Sequence, residues 1–355
     1  GEGRGPGGRV VILVVGGANL DSTLRTAAPA VLHTSNPAAQ TQSAGGVGRN
    51  IAENLARLGQ PVSLIAAMGD DPAGHLLAES ARALGIDTQG LILSPRPTGS
   101  YVAVLDDSGE LVIGVSDMSA TDSLTVEDVA GAGADRLVSE AEVVVLDGNL
   151  PAPVCRWLIE RAAVHGIPVI VDPVSVAKAV PFADTLDGTR PLLLFTPNVD
   201  ELAAVLGRAV ADDDASLATA AAELHARGVE HVWIRRGRGG SVMSTSPAAA
   251  GATDAAATTA PDAGAADATG TAVSEGVLTL HRLAAPECLV EDVTGAGDSM
   301  TAGFVHAWVD GSDVVTAARF GQAVASLTVE SRHTVRPDLT AQLVHARLAQ
   351  SQGDR

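Results

Sequence analysis

Aromatic residues make up only 2% of the 355 positions, so any core this chain builds must come from Val, Leu, Ile and Ala. Cysteine is nearly as scarce. Cys155 and Cys288 lie far apart, which excludes a disulfide framework and a cysteine metal motif and fits a reducing compartment. Positive charge is short: 23 Lys and Arg against 42 Asp and Glu give a net charge of −19. That balance argues against a nucleic-acid backbone or an anionic membrane as partner. A small anionic substrate remains compatible, because a local site can oppose the global field. No long apolar run is present. The stretch 10–15 is too short for a signal-peptide core or a membrane span, and nothing else approaches that length without charges. The expected location is the cytoplasm. The nine histidines show no HExxH pattern and no close pairing, so they read as core or surface residues.

What remains is a chain that is 46% hydrophobic, long enough for one large α/β domain or one domain with a small appendage. The segments 10–15, 62–67, 143–146, 169–171, 192–196 and 231–235 read as buried strands, with helical patterns over 49–58, 73–84, 153–165, 199–206 and 217–227 between them. Such alternation predicts a mostly parallel sheet flanked by helices, with ligands beyond the carboxyl ends of the strands. Two regions break the rhythm. Residues 99–115 read as a hairpin turning at Asp107-Ser108-Gly109, and 22–34 as a further extended segment. Together they form either a small β-sheet lid or edge strands of the main sheet. Residues 244–276 are Ala-, Thr-, Asp- and Gly-rich with Val273 as the one large apolar residue, and read as an inserted, exposed, disordered hairpin loop. The expected division is a tail over 1–9, one domain over 10–345 and a tail over 346–355.

The most informative stretch is Thr294-Gly295-Ala296-Gly297-Asp298. Two glycines at a helix start let backbone N–H groups approach an anion, and the helix dipole adds to that site. Asp298 stands where phosphate charge would develop. A carboxylate there is unfavourable unless it works, and the work on offer is to accept a proton from a hydroxyl attacking a phosphoryl group. The bland alternative is a helix N-cap.

Other motifs lie at predicted strand ends. Gly16-Gly17-Ala18-Asn19-Leu20-Asp21 follows the first strand, and Asp21 can take two ribose hydroxyls or simply close a turn. Ala44-Gly45-Gly46-Val47-Gly48-Arg49-Asn50 runs into an amphipathic helix; Asn50 both donates and accepts, which suits a sugar diol. Its glycine spacing is wrong for a dinucleotide fingerprint, and 35–43 is a poor first strand. In Thr196-Pro197-Asn198-Val199-Asp200-Glu201, Asn198 and Glu201 share a helical face and could hold Mg²⁺ through water or form a cap. Arg235-Arg236-Gly237-Arg238-Gly239-Gly240 offers charge and N–H groups to a polyphosphate, or is a basic turn.

The order of these motifs, GGVGRN, TPNVDE, the glycine loop near 237 and DVTGAGD at 292–298, resembles the ribokinase-like (PfkB) carbohydrate kinases over almost the whole chain. GGANLD at 16–21, SDMSA at 116–120, VDPVSVAKA at 171–179, WVDG at 308–311 and Arg319-Phe320-Gly321-Gln322 resemble the members that act on pseudouridine. The resemblance implies a Rossmann-like sheet with a β-sheet lid used for dimerisation, and ATP-dependent phosphorylation of a ribosyl 5′-hydroxyl. It implies Asp298 as catalytic base, Gly295, Ala296 and Gly297 as anion hole, and Asn19, Asp21, Gly45, Gly46 and Asn50 at the sugar. It further implies Asn198, Glu201, Arg235, Gly237, Gly240 and Gln322 on the nucleotide side, Mg²⁺ at Glu201 through water, and a monovalent cation such as K⁺ near Asp292 and Thr294 with carbonyls from about 328 to 333. Asp117, with Ser100, Tyr101 and Met118, is the candidate reader of a base. Relatives usually carry Ser or Thr where Arg235 stands, and the 244–276 insertion is unlike most members. Two alternatives stay open: another sugar or nucleoside kinase, and a silent sugar-binding regulator on the same fold.

Overall fold

A computed structural model describes residues 11–247 and 278–353. The first half of the chain supplies β1 (Ile12–Val15), β2 (Asn19–Thr26), β3 (Ala38–Gly45), β4 (Val62–Ile65), β5 (Ala67–Gly69), β6 (Ile92–Ser94), β7 (Gly99–Leu105) and β8 (Leu111–Asp117). The second half supplies β9 (Val143–Asp147), β10 (Val169–Asp172), β11 (Leu192–Phe195), β12 (Val229–Arg235), β13 (Ser241–Thr245) and β14 (Thr279–Leu283). The longer helices are α1 (Val47–Arg57), α2 (Pro72–Ala83), α3 (Ala152–His165), α4 (Val199–Leu206), α5 (Asp214–Ala226), α6 (Ala296–Val309), α7 (Val314–Val329) and α8 (Ala341–Gly353).

The main sheet has the order β14-β13-β12-β11-β10-β9-β1-β4. The six strands from β12 to β4 are parallel, and β13 and β14 extend them antiparallel. Strand periodicity divides the core in two. Leu13 and Val15 face one side with Leu158 of α3, Leu202 of α4 and Leu217 of α5. Ile12 and Val14 face the other with Leu55 of α1, Phe304 of α6 and Val324 of α7. Burying each such aliphatic side chain is worth about 1.5–3 kcal/mol of transfer free energy. Trp233 is a large exception in this aliphatic interior, and its Nε1 donates to Ser241 Oγ at 2.7 Å.

The apolar runs and helical patterns fall on these elements with ends shifted by a few residues. The hairpin at 99–115 is β7 and β8. It belongs to a separate four-stranded sheet of order β3-β2-β7-β8, a lid rather than an edge of the main sheet. Two details of the lid differ from expectation. The segment 22–34 is a strand only as far as Thr26, and one of its two partners is β3, from the stretch that reads as a poor strand. Ala38–Gly45 is almost wholly exposed and has no apolar alternation; backbone pairing with β2, not side-chain burial, holds it. The expected loop from 244 begins later, because Ser244 and Thr245 complete β13; most of that loop lies outside the described residues. The expected tail from 346 instead continues α8 to Gly353. Among the described residues no helix is long and apolar enough to cross a membrane.

Candidate active site

The parallel strands deliver their C-terminal residues to one edge of the sheet. There Asp147, the last residue of β9, is buried, and its Oδ2 accepts the N–H groups of Gly17 at 2.8 Å and Gly48 at 2.7 Å. Oδ1 accepts from Asn149 N–H at 2.9 Å. One carboxylate thus ties the turn after β1 to the start of α1. Gly46 crosses between them at φ +94°, and a Cβ there would lie 2.4 Å from Gly17 O. Only glycine allows that approach. Burial pushes the Asp147 carboxyl above the usual range in spite of these N–H donors.

On the lid side, Asn19 donates to Asp21 Oδ1, and the missing side chain of Gly45 makes room for that carboxylate, since a Cβ would sit 2.2 Å from its Oδ2. Burial raises Asp21, opposed by the Asn19 bond and by Arg49. Arg49 folds back onto Ala44 O at 2.9 Å and Gly45 O at 3.0 Å, pairs with Glu53 and donates to Asn50 Oδ1. The Asn50 amide is thereby oriented, and its Nδ2 donates to Asp298 Oδ2 at 2.7 Å across 248 residues of sequence.

Asp298 lies in the first turn of α6, behind Gly295 at φ +77°. A side chain at Gly295 would meet Thr334 O at 2.1 Å. The first-turn amides of a helix have no carbonyl one turn behind them and face outward as donors. Burial, set against the Asn50 bond and reinforced by Asp172, raises Asp298 to about 7. A carboxylate with that affinity for protons is matched to accepting one near neutral pH.

At the ends of β11 and β12, Asn198 caps α4. Its Oδ1 accepts Glu201 N–H at 2.9 Å, and Glu201 Oε2 accepts Asn198 N–H at 2.8 Å. The capping arrangement is therefore present, and it turns the Glu201 carboxylate toward Arg235, 3.4 Å away. Arg235 forks onto Asp172, with Nη1 to Oδ2 at 3.0 Å and Nη2 to Oδ1 at 3.2 Å. Gly237 opens a short turn at φ +53° and Gly240 ends it at φ +80°. Gln322 is buried, and its Nε2 donates to Ser241 Oγ at 3.1 Å and Leu283 O at 3.2 Å, bracing the sheet edge. Asp292 Oδ1 accepts from Thr294 N–H at 2.9 Å and Thr294 Oγ at 2.7 Å, while Val329 O accepts the N–H groups of Glu291 and Asp292. Asp117, exposed at the end of β8, accepts from Ser119 N–H at 2.9 Å and borders a cleft of about 510 Å³ shared with Arg96 and Met118.

Asp172 and Glu201 thus pair with one guanidinium, and the charge of Asp298 acts on it as well. That excess of negative charge fits a divalent cation arriving with the nucleotide. Among the described residues no group of three or more His, Cys, Asp or Glu could cage a metal alone. Sequence reasoning missed Asp147 and Asp172, which only the strand order brings to this edge, and Thr301, which reaches Asp172 from α6.

The pfkB family of carbohydrate kinases matches residues 11–270 and 265–341. The pseudouridine kinase of Escherichia coli (strain K12) is 30% identical over 330 residues, 93% of each chain. A carbohydrate kinase from Agrobacterium tumefaciens superposes with a TM-score of 0.75 at 29% identity, covering 96% of this chain and 97% of its own. The ribokinase of Arabidopsis thaliana, solved with ribose and ATP, superposes with a TM-score of 0.73 at 23% identity over 96% and 98% of the two chains, a likeness of fold. The family match covers almost all of the chain, and the chain accordingly belongs to the PfkB family of carbohydrate kinases, phosphotransferases acting on sugar or nucleoside hydroxyls with a ribokinase-like fold.

Proposed function

We propose that the chain transfers the terminal phosphoryl group of ATP to the 5′-hydroxyl of pseudouridine, giving pseudouridine 5′-phosphate and ADP. The observation that carries the transfer is the Asn50–Asp298 contact, which joins the sugar loop to the base at the anion hole. The likeness to the Escherichia coli pseudouridine kinase supports the substrate. Asn19, Asp21, Gly45, Gly46 and Asn50 bind the ribosyl group. The 5′-oxygen forms its bond to the phosphorus, the bond to ADP breaks, and the hydroxyl proton passes to Asp298. Amides of Gly295, Ala296 and Gly297 hold the developing charge. Mg²⁺, when bound with ATP, offsets phosphate charge, and Asn198 and Glu201 would hold it, through water at Glu201. Asp292 and Thr294 would hold a monovalent cation such as K⁺. Gly237, Gly240 and Gln322 line the nucleotide side. ADP release measured against pseudouridine, uridine, adenosine and ribose tests the reading; turnover fastest on ribose would overturn the substrate.

The ribosyl contacts serve any riboside, so the base must be read by the lid. Asp117 and Ser100 are paired across β7 and β8, and Met118 and Asn19 each lie beside Gly99. Asp117→Ala is expected to lower kcat/KM for pseudouridine about 10-fold or more, leaving a ring N–H unpaired, while ribose is unaffected. Equal losses on both substrates would remove Asp117 from base reading. The lid also carries the contact with a second copy. β8 is an edge strand with Leu111, Ile113 and Val115 more than half exposed, an arrangement that solvated monomers avoid. Light scattering is expected to give a dimer for the parent protein and a monomer for Ile113→Lys; a monomeric parent would sink the dimer.

A further inference from the structure

We infer that Asp172 is a positioning residue for phosphoryl transfer: it fixes the Arg235 guanidinium against the anion hole, where Arg235 is the permanent cation for the transferring group. The inference rests on the kinase reading above and names the residues that complete its electrostatics.

Asp172 ends β10 and is 2% exposed. A buried carboxylate is tolerated when every lone pair is used, and here four donors converge on it. Oδ1 accepts Val174 N–H at 3.0 Å and Arg235 Nη2 at 3.2 Å; Oδ2 accepts Arg235 Nη1 at 3.0 Å and Thr301 Oγ at 3.0 Å. The donors come from three places: the loop after β10, the end of β12 and the helix α6 that bears Asp298. Thr301 stands three residues beyond Asp298, on the same helical face. Asp172 therefore couples the guanidinium to the helix that carries the base.

Two further observations direct this clamp at the anion hole. A Cβ on Gly297 would lie 2.7 Å from Arg235 Nη1, so the guanidinium packs against the hole's own backbone through the space that glycine leaves. Val174 adopts φ +69°, a left-handed conformation that β-branched residues avoid, and its N–H is thereby turned onto Asp172. Backbone strain of this kind persists where the surroundings over-determine it, and it clusters at functional sites. Two other cations are committed elsewhere. Arg49 is tied to Glu53 and the glycine loop, and Lys178, the only lysine of the chain, pairs with Asp122 at 3.0 Å on the surface. Arginine suits the task, since its planar fork holds two carboxylate oxygens on one side and keeps its charge at any working pH.

The test compares Arg235→Thr, Asp172→Asn and the double variant, in kcat and in calorimetric binding of ADP with Mg²⁺ and pseudouridine, with and without aluminium fluoride as mimic of the transferring group. Each single variant is expected to lose about 10²–10³-fold in kcat, as for removal of one oxyanion donor. ADP affinity is expected to stay within about threefold while the fluoride-dependent tightening disappears, the signature of an interaction made only in the transition state. The double variant is expected to be no slower than Arg235→Thr alone, because Asp172 acts through Arg235. Losses that multiply, or full tightening retained in Asp172→Asn, overturn the inference. Should Asp172→Asn fail to fold with Arg235 left unpaired, the double variant removes both charges and the comparison with Arg235→Thr decides in the same way. A parent protein that binds ADP yet shows neither turnover nor tightening overturns the kinase reading together with this inference; a working kinase with multiplying losses overturns this inference alone.

Discussion

Asp298→Asn is expected to slow turnover about 10²–10⁴-fold, the usual contribution of a general base, and at the same time to make the protein more stable at pH 8. The second effect follows from the sign of the shift. Asp298 sits near 7 in the folded chain against an ordinary value of 3.8. Below 3.8 both states are protonated and there is no penalty. As pH rises toward 7 the unfolded state ionises first, and the penalty on the native state grows until it is complete above 7. At 1.36 kcal/mol per unit the ceiling is about 4 kcal/mol. Asparagine is neutral at every pH and can still accept from Asn50, so it should recover part of that, about 1–4 kcal/mol. Thermal unfolding of parent and variant at pH 8 and pH 4 checks it: the variant should melt higher at pH 8 and level at pH 4. A lower melting point at pH 8 would contradict the buried charge, and near-parental turnover would remove Asp298 from the base's role. The parent's kcat/KM should rise with pH through about 7.

Asp147→Ala is expected to damage stability and substrate binding together. It leaves three N–H groups, of Gly17, Gly48 and Asn149, without their acceptor. An orphaned buried donor costs about 1–3 kcal/mol. Removing a carboxylate that burial already disfavours gives some of this back. A net loss of about 2–5 kcal/mol is the balance. The freed loops carry Asp21 and Asn50, so KM for the nucleoside should rise about 10-fold. Asp147→Asn, which keeps one good acceptor, should fall between parent and alanine variant in urea unfolding. An alanine variant as stable as the parent would show that the two loops hold without the tie.

These two acids sat at opposite ends of what could be read in the sequence. Asp298 was legible as a candidate because its pattern is local: two glycines, a helix start and a carboxylate within five residues. Asp147 and Asp172 were not, because each is one acidic residue after an apolar strand, indistinguishable there from the aspartate of a turn. Their roles come from strand order, which brings β9 beside β1 and β10 beside β9 and depends on pairings far apart in sequence. The parallel strands were legible for the same reason that they are buried, since runs covered on both faces are dominated by apolar residues. β3 was not, because AAQTQSAG has neither alternation nor bulk and exists as a strand only through its partner. The helices were visible in their periodicity. The cap of α4 was visible too, but not that it aims Glu201 at Arg235.

The span of 248 residues between Asn50 and Asp298 also orders events during synthesis. When the sugar loop and α1 have left the ribosome, the base, the anion hole and the helix that buries α1 have not yet been made. β1 waits in the same way for β9, whose first residue follows its last by more than a hundred positions. A growing chain can therefore form local helices and the lid's hairpin, but β1 gains its second neighbour only after β9 is made, and the proposed catalytic edge is completed only when the segment from α6 onward, about the last sixth of the chain, docks. Long-range pairings of this kind make folding slow and leave intermediates with exposed strands. A chain cut before α6 lacks the proposed base and one wall of the second core at once, so loss of that terminal segment, about a sixth of the chain, removes the proposed chemistry and part of the core together.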